Sequence, residues 1–234
     1  MQIEQSASEN NLLAGLSADD FGILSSGLVR VDLPRGTELS VPGQEIQYCW
    51  FIEEGIASMV ASSRDGQEAE AGIVGREGMI DVATFLGGSS SGLRSFMQIS
   101  GQGLRIPART VVTAYKSSAT IRSAFNLFAN NLIFQIAQTA LANASYSVEQ
   151  RLARWLLMCS DRLSDDEIAL THEFLSVMLN VRRAGVTMAV QSLQSAGHLK
   201  ARRGSLQIVD RPGLEDFASD AYTALDCLQS VKNL

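Results

Sequence analysis

From Phe174 to Val209 the chain holds Arg182, Arg183, Lys200, Arg202 and Arg203 but no Asp or Glu, although its formal net charge is −6. Apolar residues keep helical spacing on both sides of Asn180-Val181, with Leu175 and Leu179 before it and Val186, Val190 and Leu193 after it. A basic segment centred on Gly204 follows. Two short helices, a tight turn and a basic hairpin make a winged helix-turn-helix, and the commonest partner of that arrangement is duplex DNA.

The residue types support this locally. Thr171 stands where an N-cap is needed, and Glu173 falls in the first helical turn, where negative charge favours the helix dipole. Asn180 occupies the interhelical turn, where one residue at positive φ is expected; asparagine takes that conformation best after glycine. With Val186, Val190 and Leu193 turned inward, Arg183, Thr187 and Gln191 lie on the opposite face, flanked by Ala184 and Met188. Arginine can donate two hydrogen bonds to guanine, and glutamine can make two with adenine, donating one and accepting one, each pair discriminating by about 1–3 kcal/mol. Met188 suits a thymine methyl. Arg182, at the helix start, and Lys200, Arg202 and Arg203 on the hairpin are expected at phosphates.

At 234 residues the chain is one large domain or two ordinary ones, and its apolar fraction of 46% is that of a globular protein. No run of about 18 apolar residues exists and no signal peptide is recognisable, so a cytoplasmic location is expected. Cys49, Cys159 and Cys227 are odd in number and unclustered. That argues against a disulfide framework, a cysteine-ligated metal or an iron–sulfur site. His172 and His198 both fall in the basic zone and read as surface or capping residues, so no cofactor is expected. Overall acidity does not exclude DNA, because charges more than about 10 Å away are largely screened near 0.1 M salt.

Three zones follow one another. From about Asn11 to Ala108, glycine-marked turns separate short runs such as Tyr48 to Ile52 and Ala57 to Ala61. This spacing predicts a small antiparallel barrel or sandwich. Leu12, Leu13 and Leu16 predict a short helix covering one end, and Ser89 to Gly92 a mobile loop. From about Ser118 to Tyr146, glycine and proline vanish. There Ile121, Phe125, Phe128, Leu132, Ile136 and Thr139 form one apolar stripe on a long helix, with Asn131, Gln135 and Gln138 elsewhere on its surface. Such a stripe packs either on its own domain or on a second copy. A helix linking dissimilar domains in a DNA reader favours dimerisation through Phe125, Phe128, Leu132 and Ile136. In the third zone Leu152, Trp155, Leu156 and Cys159 mark a further helix ahead of the reader. Leu214, Phe217, Ala218, Tyr222 and Leu225 mark a terminal one.

Leu170-Thr171-His172-Glu173-Phe174-Leu175, Met178 to Arg183, Gly185-Val186-Thr187, Leu193 to Gly197 and Ile208 to Arg211 together resemble one branch of the Crp/Fnr superfamily of bacterial transcription regulators. The resemblance extends to Gly36, Gly43, Phe51 to Gly55 and Val74 to Gly78. It implies an α+β fold: an N-terminal antiparallel β-roll of the cyclic-nucleotide-binding-like jelly-roll kind over residues 11–117, a long dimerisation helix over 118–146, and a C-terminal winged helix-turn-helix over 147–234. It also implies a homodimer on inverted-repeat DNA, with RNA polymerase as a further partner. Family members that read bases through a Ser-Arg-Glu triplet and a later Arg are matched here by Arg182-Arg183-Ala184 and Met188, so only Arg183 carries over.

Members that bind cyclic AMP hold the phosphate with an Arg-Ser pair and the ribose with a Glu. Glu77 stands at roughly the ribose position, but Ser89 to Gly92 offers no arginine, and Arg94 falls about three residues late. A buried cyclic phosphate would lack its charge-assisted partner, so weak or no cyclic-nucleotide binding is expected. The competing class is a small-ligand-binding or protein-interaction module whose winged helix contacts protein; steep salt dependence would favour DNA instead. No nucleophile–base constellation, phosphate-binding glycine loop or metal-ligand spacing points to an enzyme.

Overall fold

A computed structural model describes residues 3–165 and 167–222. These form two compact units, the first comprising residues up to 62 and 72–133, the second residues 63–71 and those from 134 onward. Leu225 and Cys227 lie outside the described residues.

Eight strands appear before the long helix: β1 (Val29–Leu33), β2 (Glu38–Ser40), β3 (Tyr48–Ile52), β4 (Ile56–Ser62), β5 (Glu68–Val74), β6 (Met79–Ile80), β7 (Arg94–Ile99) and β8 (Gly101–Pro107). They make two four-stranded sheets, ordered β1-β8-β3-β6 and β2-β7-β4-β5. Neighbours distant in sequence pair antiparallel, as β1 does with β8 and β2 with β7, which is the connectivity of a roll rather than a meander. Strand β3 shows why these residues form a sheet: Cys49 and Phe51 are fully buried, while Trp50 between them faces the other way. Helix α1 (Asn11–Ala14) covers one end, as Leu12, Leu13 and Leu16 predict. Its N-cap, Asn10, accepts from Leu13 N at 3.1 Å and donates to the carbonyls of Ile52 and Gly78.

Two further helices were not foreseen. Helix α2 (Ala18–Ser25) starts at a Ser17 N-cap, and α3 (Ala108–Ser117) starts directly after β8. The Asp20 carboxylate of α2 accepts from Ser118 Oγ at 2.6 Å and from Thr120 Oγ1, across the junction into the next helix. The Ser89 to Gly92 segment is tied down rather than loose. Gly43 N donates to Ser91 O at 2.9 Å, and Ile46 N to Ser89 O at 3.0 Å.

The long helix is α4 (Ala119–Ser145), of 27 residues. Its stripe is core at the first four positions: Ile121, Phe125, Phe128 and Leu132 are buried within this one chain. Phe125 meets the rings of Phe51 and Phe85. Phe128 lies where a side chain on residue 78 would go: a Cβ there would stand 2.0 Å from Phe128 Cε2, so only glycine fits. Phe125, Phe128 and Leu132 are therefore not available to a second copy, and Ile136 is only half-buried. Gln135, expected on the surface, is buried instead. The apolar residues that α4 does expose are Ile133, Phe134 and Leu141, on a face shared with the exposed alanines 137, 140 and 144.

In the second unit, α5 (Val148–Ser160) begins with a capping box between Ser147 and Gln150 and buries Leu152, Trp155, Leu156 and Cys159. The end of the β4–β5 hairpin belongs to this unit. Trp155 Nε1 donates to the buried Glu70 of β5 at 2.8 Å. Burial pushes the Arg154 guanidinium down to about 10, which the Glu70 charge opposes and Arg162 reinforces. Strand β9 (Glu167–Ala169), helices α6 (His172–Met178) and α7 (Arg183–Ser195), strands β10 (Leu199–Arg202) and β11 (Ser205–Ile208), and helix α8 (Arg211–Ala218) complete it. Helix α8 is shorter than the apolar pattern predicts. It stops at Ala218, and Tyr222 lies beyond it, donating its hydroxyl to Asp161 at 2.8 Å.

Burial drives the Cys49 thiol up to about 12, and that of Cys159 also rises through burial. Both are packing residues rather than reactive thiols. Among the described residues no group of His, Cys, Asp and Glu could hold a metal, and no helix is long and apolar enough to cross a membrane.

Asp81 follows β6 in a left-handed conformation, with φ at 73°. Its buried carboxyl accepts from Ser40 Oγ at 2.7 Å, and desolvation raises it from 3.8 to about 6. The folded state therefore holds this proton more tightly than the unfolded chain. Its contribution to stability is complete below about pH 4 and is lost as pH rises through about 6, a loss on the order of 3 kcal/mol. Asp81→Asn keeps the oxygen acceptor and tolerates the left-handed backbone. Urea unfolding should find it about 1–3 kcal/mol more stable than the parent at pH 8, with the gain vanishing near pH 4.

Candidate nucleic-acid interface

Helix α6 starts where its N-cap places it: Thr171 Oγ1 accepts from Phe174 N at 3.3 Å, and Glu173 sits in the first turn. Leu175, Met178 and Leu179 are buried. The chain then turns at Asn180, whose φ is 48°, and Val181 N closes the turn on Ser176 O at 3.0 Å. Asparagine is at this position because an ordinary side chain pays about 1–2 kcal/mol in that conformation.

Helix α7 follows, with Arg182 as N-cap. Val186, Ala189, Val190 and Leu193 are buried, so the opposite face is free. Arg183 and Gln191 are exposed, and Met188 is 66% exposed, high for a large apolar side chain. Thr187 is half-buried, and its hydroxyl donates to Arg183 O at 3.1 Å, within the helix. Just over two turns of one helix face thus offer a guanidinium, a thioether and an amide, the donor, apolar and donor–acceptor groups that base edges in a major groove can meet.

The wing is the β10–β11 hairpin, with Arg202 paired to Ser205 and the tip at Arg203-Gly204, where Gly204 has φ of 82°. Lys200, Arg202 and Arg203 are all exposed. Strand β9, which the polar composition around it concealed, is the third strand of this sheet and pairs with β11. The base of the hairpin is fixed by His198 Nδ1 against Asp210 Oδ2 at 3.1 Å. The Gly213 N–H, then His198, holds the Asp210 carboxyl below the usual range, while Asp210 caps α8. The His172 side chain lies outside the described residues.

The basic stretch is less uniformly positive than its own composition implies. Glu173 Oε1 stands 2.7 Å from Arg183 Nη2, and Glu167 Oε2 stands 3.3 Å from Arg202 Nη1. Both carboxylates precede Phe174 in sequence and return to the island only through the fold. Arg182, Lys200 and Arg203 make no ion pair among the described residues. Arg182 also borders a shallow cleft, together with Asn180, Val181 and the hairpin residues Gly66 and Glu68.

The two sensor positions singled out from sequence are engaged separately. Glu77 Oε2 accepts from Gly75 N at 3.1 Å, within its own turn. Arg94 Nε donates to Glu38 Oε1 at 3.1 Å, and its guanidinium lies over the Phe96 ring. Asp81 is a buried carboxyl of the β-roll, and no sequence motif marks it.

Residues 150–217 match the family model described as a Crp-like helix-turn-helix domain. No curated protein sequence matches the chain. Among solved structures it is similar to a transcriptional regulator of the crp/fnr family from Eubacterium rectale, at 18% identity over 89% of this chain and 97% of that one, with a TM-score of 0.69. It is also similar to FixK2 from Bradyrhizobium japonicum, at 14% identity over 82% and 98%, with a TM-score of 0.71. A third is the c-di-GMP responsive global regulator CLP of Xanthomonas campestris, at 16% identity over 83% and 100%, with a TM-score of 0.66. At these identities the likeness is one of fold, and it spans nearly the full length of each neighbour. Residues 150–217 thus form a Crp-like helix-turn-helix domain, and the chain as a whole has the fold of the crp/fnr-type regulators it resembles.

Proposed function

We propose that this protein is a sequence-specific DNA-binding transcription regulator that acts as a homodimer on an inverted repeat, under an effector other than cyclic AMP. The observation that carries this is the division of α7. One side is sealed by Val186, Ala189, Val190 and Leu193, and the other presents Arg183, Met188 and Gln191 beside a cationic wing. Arg183 and Gln191 are assigned to base edges, with Met188 and Thr187 at apolar groups of the groove wall. Thr171, Arg182, Lys200, Arg202 and Arg203 are assigned to the phosphate backbone.

The homodimer reading rests on α4. Its exposed Ile133, Phe134 and Leu141, with small alanines between them, form an apolar strip that a second copy of the same helix could cover about a two-fold axis. Two readers would then meet half-sites about one helical turn apart. The effector reading rests on charge. Residues 81–93 contain no arginine, and the buried group there is the Asp81 carboxyl, which would oppose an anionic ligand.

Selection of binding sites from random duplex DNA with the purified, effector-free protein should enrich an inverted repeat. No enrichment from a folded, dimeric sample would mean that an effector is obligatory or that the wing serves another partner. Given such a site, Arg183→Ala should relax the preference at one position of each half-site. Arg203→Ala should weaken all DNA alike and reduce the salt slope by about one. Identical behaviour of the two variants in titrations at several salt concentrations would rule out this division of roles.

Phe134→Glu should give a folded monomer in sedimentation equilibrium, because like charges would then face each other across the axis. A dimer of unchanged strength would place the interface elsewhere.

A further inference from the structure

Helix α7 contains a single cation, Arg183, the side chain on it best suited to bidentate contact with guanine. An unrestrained arginine is a poor discriminator: it has many rotamers to lose and grips a passing phosphate as readily as a base. Arg183 is not unrestrained. The first turn of α6 brings Glu173 to it, with Oε1 at 2.7 Å from Nη2, and both side chains project outward, 65% and 75% exposed. A carboxylate with that exposure, beside the groove-reading face, would repel the DNA backbone unless it did something for the interface.

Resting on the DNA-reading assignment above, we propose that Glu173 is a specificity-determining positioning residue, which orients the Arg183 guanidinium for a guanine and withholds it from phosphate. The geometry permits this. One acceptor on Nη2 leaves a complete two-donor edge of the fork unoccupied, as bidentate contact with guanine O6 and N7 requires. The turn at Asn180 fixes where α6 and α7 meet, so the carboxylate approaches the guanidinium from a set direction. In the free protein the pair is solvated and contributes little to stability, like other exposed pairs. Against DNA the water is displaced, the pair strengthens, and a guanidinium whose orientation is held cannot turn to satisfy adenine, which offers a donor where guanine offers an acceptor. The carboxylate also cancels one positive charge, so binding to arbitrary sequence is weakened more than binding to the right one.

The test compares the parent, Glu173→Gln, Arg183→Ala and the double variant. Each is measured against the selected inverted repeat, against repeats with each base pair replaced in turn, and against unrelated duplex. Glu173→Gln should unfold at the parent's temperature yet bind unrelated duplex several-fold more tightly. Its discrimination should fall by about tenfold at the one guanine position that Arg183→Ala also affects, and at no other. In the Arg183→Ala background the glutamine should change discrimination no further. Three results would overturn the inference: parental discrimination in Glu173→Gln, a uniform loss at every position, or an Arg183→Ala variant that keeps the guanine preference. A parent that selects no sequence at all would instead overturn the DNA-reading assignment on which the inference rests.

Discussion

The burial of Phe125 and Phe128 in the β-roll governs much else in the chain. Phe128 occupies the space beside Gly78 that any larger residue would claim, and Phe125 packs at a tilt against Phe51 and Phe85. A helix anchored by two aromatic rings cannot rotate about its own axis without emptying that core, at a cost of several kcal/mol. With the rotation fixed, the 3.6-residue repeat determines which residues of α4 face away. Those are Ile133, Phe134, Ala137, Ala140 and Leu141, and they are the ones left uncovered. The burial of these two rings thus leaves one apolar face of α4 uncovered.

Periodicity alone could not separate these two roles. It identified a stripe on α4 correctly as apolar, but a stripe records that a face is buried and not what buries it. The half of the reader built on local rules was readable: the Thr171 cap, the positive φ of Asn180 and the glycine at the wing tip each follow from one residue's chemistry. Helices α2 and α3 were missed because they are short and sit at the two ends of the strand zone, α2 before β1 and α3 directly after β8. Strand β9 was missed because it is a three-residue strand in a polar segment that gains its partner only from β11. The Glu173–Arg183 pair spans ten positions across a turn, beyond the reach of any pattern confined to one helix.

Electrostatics divides the molecule in a similar way. In the reader, acids and bases stay in water and their pairs are exposed, which keeps the surface adaptable to a polyanion. In the β-roll the Asp81 carboxyl, raised to about 6 by burial, is held in a left-handed turn and shielded from solvent.

The two tryptophans carry a consequence of a different kind. Trp50, in the first unit, donates its indole N–H to the Leu39 carbonyl at 3.0 Å, and Trp155, in the second, donates to the Glu70 carboxylate at 2.8 Å. They are the only two in the chain. Each compact unit therefore contains one tryptophan, and the two sit against chemically different acceptors, one a backbone carbonyl and one a side-chain carboxyl. Replacing either tryptophan by phenylalanine leaves a chain whose emission reports on a single unit, without any attached dye.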